Sequence, residues 1–182
     1  MDTLGVVECK SIASGVAVAD AMMKIADVEL VRAGTICSGR YMIYVSGTRA
    51  AVDASVNEAG ESGRALKGAF VISGVSDQVL SALRKESPVN PADALAVIEC
   101  RCVSAGINAA DVAVKRSDAI LARLVTGQGI NGKSYFVLSG DVASVREAVE
   151  AAEVALGTEL IEAVVIPRPD ASVVNSLVKG VR

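Results

Sequence analysis

The chain of 182 residues has no histidine and no tryptophan, and only 3% of it is aromatic. Without imidazole there is no histidine general base, no Ser/His or Cys/His nucleophile pair and no histidine-ligated zinc. The scarcity of rings removes the stacking platforms on which single-stranded nucleic acids lie. Charge of one sign is missing too. Eighteen basic residues face twenty-one acidic ones, a net charge of −3, and no basic block stands out, so nucleic acid is not an expected partner. The longest apolar runs, such as AFVIS and AVVIP, are too short to span a bilayer. The start, MDTLGVVECK, has neither a basic n-region nor an apolar h-region, so the reading is a cytosolic protein, off the membrane, with its four cysteines reduced.

What the chain does have is a 52% hydrophobic content built almost wholly from Ala, Val, Ile and Leu. It also repeats itself. LGVVECKSIASGVAVADAMMKIAD, from Leu4, aligns with LAVIECRCVSAGINAADVAVKRSD, from Leu95, at a constant spacing of 95 − 4 = 91. Farther on, GRYMIYVSG from Gly39 aligns with GKSYFVLSG from Gly132, so copy two carries two extra loop residues.

Each copy reads as strand (Leu4–Glu8; Leu95–Glu99), helix, strand (Glu29–Arg32; Ile120–Leu124), strand (Tyr41–Val45; Tyr135–Leu138), helix (Thr48–Ser62; Val142–Ala155) and strand (Ala69–Ile72; Ala163–Ile166). In the first helix, Val16, Ala19, Met23 and Ala26 form the expected core stripe. The fold class is therefore α+β: two tandem ferredoxin-like βαββαβ domains, residues 1–87 and 94–182, joined by a proline-bearing linker at 88–93.

Three segments carry a family likeness: Glu8-Cys9-Lys10-Ser11 leading into Ala19-Asp20-Ala21-Met22-Met23-Lys24, the loop Thr35-Ile36-Cys37-Ser38-Gly39, and Val165-Ile166-Pro167-Arg168-Pro169. In these, and over nearly its whole length, the chain resembles the shell-protein domain of bacterial microcompartments, and its tandem form resembles the trimeric T-class shell proteins. The resemblance implies a structural protein, not an enzyme. It would be a homotrimer shaped like a hexamer, placed in the microcompartment shell within the cytoplasm beside other shell proteins. It implies that Lys24, Lys115 and Arg168 sit at the tile edge, although copy one ends AFVISGVSD and lacks the P-R-P. It further implies that two loops line a central pore: Thr35, Ile36, Ser38 and Gly39 in copy one, Gly129, Ile130, Asn131 and Gly132 in copy two.

On that resemblance Cys37 would occur three times at one axis, the arrangement by which one T-class shell protein is understood to hold a 4Fe–4S cluster shared by three chains, for electron transfer or cluster delivery across the shell. Thiolates are the usual cluster ligands, and the amides of Gly34, Ser38 and Gly39 are candidate donors to its sulfurs. A metal-free metabolite pore and a small-molecule sensor of ferredoxin-like fold stay open beside it. Cys9 and Cys100 are repeat equivalents and read as packing residues, as does Cys102. The pairs Glu8/Glu99 and Asp20/Asp111 follow from duplication, and none is assigned a catalytic role. GQGING, Gly127 to Gly132, lacks the Lys-Ser/Thr of a phosphate loop and leads into a strand.

Overall fold

A computed structural model describes residues 3–85 and 93–179. Of the expected linker, 88–92 lie outside the described residues.

Copy one runs β1 (Thr3–Cys9), α1 (Ile12–Ile25), β2 (Glu29–Ile36), β3 (Arg40–Gly47), α2 (Arg49–Glu61), β4 (Leu66–Ser73) and α3 (Asp77–Leu83). Copy two runs β5 (Ala94–Cys100), α4 (Val103–Arg116), β6 (Ile120–Thr126), β7 (Ser134–Gly140), α5 (Val142–Leu156), β8 (Leu160–Pro167) and α6 (Ala171–Lys179). The sheets have strand orders β2-β3-β1-β4 and β6-β7-β5-β8, antiparallel at each registered pair, which is the βαββαβ arrangement expected. The registers match across the copies: Glu8 pairs with Met42 as Glu99 pairs with Tyr135.

The helices start where the sequence supplies caps. Ser11 Oγ accepts the Ser14 amide at 3.3 Å to open α1, and Thr48 Oγ1 accepts the Ala51 amide at 3.3 Å to open α2. Asp141 caps α5 through the amides of Ala143 and Ser144; the Ser144 hydroxyl first, and then these amides, hold its carboxyl below its usual range. The helices α3 and α6 extend the expected six-element unit, and each is short and opened by a polar residue, Ser76 and Asp170.

Two compact units emerge from the chain. The first runs from the N-terminus through Val75 and takes in Cys102–Asn108 and Thr126–Lys133. The second comprises Ser76–Arg101, Ala109–Val125 and the segment from Ser134 onward. In the first, Val7, Cys9, Ile43 and Val45 of the sheet pack against Val18 and Met22 of α1 and Val52, Val56 and Ala59 of α2. A Cβ on Gly15 would lie 2.4 Å from Tyr41, so the absent side chain lets α1 settle directly on β3.

The core stripe of α1 differs from the expected one. Val18 and Met22 are buried, and Ala19, Met23 and Ala26 pack beside them, but Val16 is 53% exposed. The helix is turned so that its apolar residues divide between two faces.

Candidate functional site

The thiol of Cys37 sits where two loops of the first unit meet. β2 runs through Ile36 and turns over Cys37–Gly39. Ser38 and Gly39 have φ values of 69° and 67°, a left-handed turn that brings the chain back into β3 at Arg40. The facing loop, Thr126–Lys133, uses the same device at Gly127, Gly129, Asn131 and Gly132, all with positive φ.

Polar contacts tie the loops together, and the Ile36 side chain lies against Gly127. Ser38 Oγ donates to the Asn131 carbonyl at 2.8 Å and also meets Asn131 Oδ1. Gln128 Nε2 donates to the Thr35 carbonyl at 3.1 Å. The Gly129 amide donates to Cys37 Sγ at 3.2 Å. A Cβ on Gly132 would lie 2.8 Å from the Cys37 carbonyl, so that close approach requires glycine. Thr35, Ser38, Gly39, Gly129 and Asn131 are exposed, Ile36, Cys37 and Ile130 half-buried, and Gly132 buried. The expected loop residues of both copies are thus brought together. The amide donor to Cys37 Sγ is Gly129, from copy two's loop.

Beneath the turn lies a buried ion pair. Arg40 Nη1 donates to Glu8 Oε1 at 2.9 Å and to the Gly132 carbonyl at 3.0 Å. Glu8 is fully buried, and its other oxygen accepts the Ser104 amide at 2.9 Å and the Ser104 hydroxyl at 3.1 Å. One carboxylate therefore satisfies the guanidinium that carries the loop and the amide terminus of α4. Sequence pairing placed Glu8 only as a duplicated acid. The usable signals were its place in the β1 strand, buried along its length, and an arginine directly after the Gly39 turn.

The expected tile-edge residues lie apart from the loops. Lys24 pairs with Asp20 at 2.6 Å near the end of α1, both well exposed. Lys115 pairs with Asp111 near the end of α4, where Asp111 is buried and also accepts the Ser76 amide at 2.7 Å. Arg168 is exposed with a φ of 48°, and its amide donates to the Asp93 carbonyl at 2.7 Å.

Cys9, Cys100 and Cys102 are buried, whereas Cys37 is half-buried. Burial and the adjacent Glu8 push the Cys9 thiol up to about 11, which suits packing and not ligation. Among the described residues no three His, Cys, Asp or Glu side chains gather into a metal site. One chain offers one sulfur at the turn, so a metal held there needs sulfurs from further copies. The donor set fits such a group: a half-buried thiol, already receiving an amide hydrogen bond, on a turn of small residues. No helix among the described residues is long and apolar enough to cross a membrane.

Comparison with known proteins bears on the whole chain. The BMC domain family matches residues 3–79 and 94–169. The bacterial microcompartment shell protein PduT of Citrobacter freundii is 36% identical over 180 residues, spanning 97% of this chain and 98% of that protein. A microcompartment protein of Desulfitobacterium hafniense, solved by crystallography, superposes with a TM-score of 0.79 at 37% identity over 95% of this chain and 98% of its own. A fused, permuted hexameric shell protein from the RMM microcompartment shares the fold, with a TM-score of 0.61 at 24% identity over 86% of this chain and 84% of its own.

Proposed function

The chain belongs to the BMC-domain family of bacterial microcompartment shell proteins, and on that premise we propose that it is a homotrimeric tile whose pore holds a 4Fe–4S cluster through Cys37 of three chains. The tile places the loops 35–39 and 129–132 of each chain around one axis. It is a structural component of the shell in the cytoplasm, set beside other shell proteins, with Lys24, Lys115 and Arg168 at its edges.

The observation that carries the reading is the Gly129 amide on Cys37 Sγ, 3.2 Å away. A donor aimed at sulfur is the kind of contact that orients and tunes a metal-bound cysteine. The cluster, when bound, supplies one-electron chemistry. The chain's own residues do the rest. Ser38 and Asn131 lock the turns, Gln128 holds the Thr35 carbonyl, and the Glu8–Arg40 pair anchors the base of the loop. Copy two needs no thiol of its own, since its loop contributes the amide donor.

Anaerobic purification with iron and sulfide analysis, electron paramagnetic resonance and visible spectroscopy tests this. About four irons for every three chains are expected, lost in Cys37→Ser. A colourless, iron-free protein after anaerobic reconstitution would leave the metal-free pore as the function. Sizing by light scattering checks the trimer separately.

A further inference from the structure

Arg40 follows the Gly39 turn directly, as Lys133 follows Gly132 in copy two. Its Nη1 carries two hydrogens, and gives one to Glu8 Oε1 at 2.9 Å and one to the Gly132 carbonyl at 3.0 Å. The guanidinium also packs on Gly132, where a Cβ would stand 3.4 Å from Cζ and 3.5 Å from Nε. Gly132 in turn closes the facing loop. Its amide donates to the Gly127 carbonyl at 3.3 Å, and the Lys133 amide donates to the Ile130 carbonyl at 3.2 Å. Residues 127–133 are therefore one hydrogen-bonded turn, in which Gly129 keeps its place relative to Gly132. From that turn the Gly129 amide reaches Cys37 Sγ.

The strengths of the contacts decide which of them sets the loop's position. Ser38 with Asn131 and Gln128 with Thr35 are exposed neutral pairs, for which water competes. The Arg40–Glu8 contact is charge-assisted, with the carboxylate fully buried and the guanidinium 20% exposed. Bonds to a charged group in such a setting are about twice as strong as neutral ones. We propose that Arg40 is a positioning residue for the Cys37 site: held by the buried Glu8 carboxylate, its guanidinium fixes Gly132 and so keeps the Gly129 amide on the sulfur. This rests on the cluster reading for what the sulfur holds, and adds which side chain sets the sulfur's surroundings. An amide donor on a ligating sulfur favours the more negative, reduced form of a cluster, so loss of Arg40 lowers the cluster's potential.

Alkylation of the metal-free full chain with iodoacetamide, at one fixed pH and read by mass spectrometry at each cysteine, tests the positioning. In Arg40→Gln the loop loses its anchor, and Cys37 is expected to react about tenfold faster than in the wild type. Cys9, Cys100 and Cys102 are buried and are expected to keep their slow rates. The Glu8→Gln/Arg40→Gln double variant removes both charges together and leaves no buried carboxylate unpaired, and the same acceleration is expected. Arg49→Gln removes one cation from the exposed surface of α2 and is expected to leave Cys37 unchanged. Wild-type rates at Cys37 in both Arg40 variants, or an equal acceleration at Cys9, overturn the inference. After anaerobic reconstitution, a redox titration followed by electron paramagnetic resonance reads the potential. The double variant keeps the net charge of the wild type, so a lower potential there reports the lost amide donor, and an unchanged one overturns the inference. A wild type that takes up no iron removes the cluster reading, and the alkylation rates still decide the role of Arg40.

Discussion

Helices α1 and α4 arise from one repeat, yet they end in opposite surroundings. Cys102 and residues 103–107 of α4 are all buried, whereas the cap Ser11 and Ile12, Ala13 and Val16 of α1 are exposed. Their lysines follow the same division. Lys115 leans on a buried Asp111 that also holds the Ser76 amide, while Lys24 pairs with an exposed Asp20. The repeated motif is one sequence pattern serving two energetic roles. A carboxylate that is buried and shared by several donors is structural, and the same carboxylate in solvent contributes little.

The sharpest way to break this comparison is at the first strands. Glu8→Ala removes the carboxylate partner of the Arg40 guanidinium and of the Ser104 amide, and is expected to cost about 3 kcal/mol in urea unfolding. Glu99→Ala is expected to cost less than half of that, because Glu99 is only half-buried. Equal losses would show that the two carboxylates carry the same load within one chain.

The lysine partners come next. Asp111→Ala removes the acceptor of a backbone amide and an ion-pair partner together, with an expected loss of about 2 kcal/mol. Asp20→Ala removes one exposed pair on a helix surface and is expected to cost no more than about 0.5 kcal/mol. Thermal melts of the two variants side by side measure the difference.

A smaller contrast lies on the sheets. A Cβ on Gly5 would come within 2.7 Å of Val45 and 2.9 Å of Val52 and Val56, while copy two carries a buried Ala96 at the matching position. Gly5→Ala is expected to cost about 1 to 2 kcal/mol through overpacking, and Ala96→Gly about 1 kcal/mol through backbone entropy. A stabilising Gly5→Ala would show that the first sheet can relax around a methyl group.

The smallest effect at neutral pH belongs to Cys9. Its thiol is pushed from 9.0 up to about 11, so the folded chain keeps a proton that the unfolded chain releases. The resulting stability is whole below pH 9.0 and is lost as pH rises toward 11. Burial raises the Tyr44 hydroxyl as well, so its contribution falls away in the same alkaline direction. Unfolding of Cys9→Ala followed between pH 8 and 11 should show a shallower decline than the wild type, and an unchanged slope would mean that Cys9 is not the group responsible.

Much of the architecture was legible from local signals. Alternating and helical periodicities and the glycines around Cys37 all act within a few residues, so the order of elements and both loops could be read along the chain. The turn of α1 could not. Val16, Val18, Ala19, Met22 and Met23 are all apolar, and a pattern with two apolar faces does not say which one meets the sheet. The cap on α4 was equally hidden. Cys102 stands where Ser11 stands in α1, and the acceptor that replaces it, Glu8, lies 96 residues away.

The sequence by itself determined a duplicated α+β chain, two glycine-turn loops and a single thiol on one of them. These follow from residue type and spacing alone, because side-chain periodicity and backbone conformational preference are local properties. Only the tertiary structure decided which copy's donor reaches Cys37, which carboxylate is buried and which apolar face is left open. Each of those depends on atoms brought together from far apart in the chain, where distance and burial set the strength of a contact.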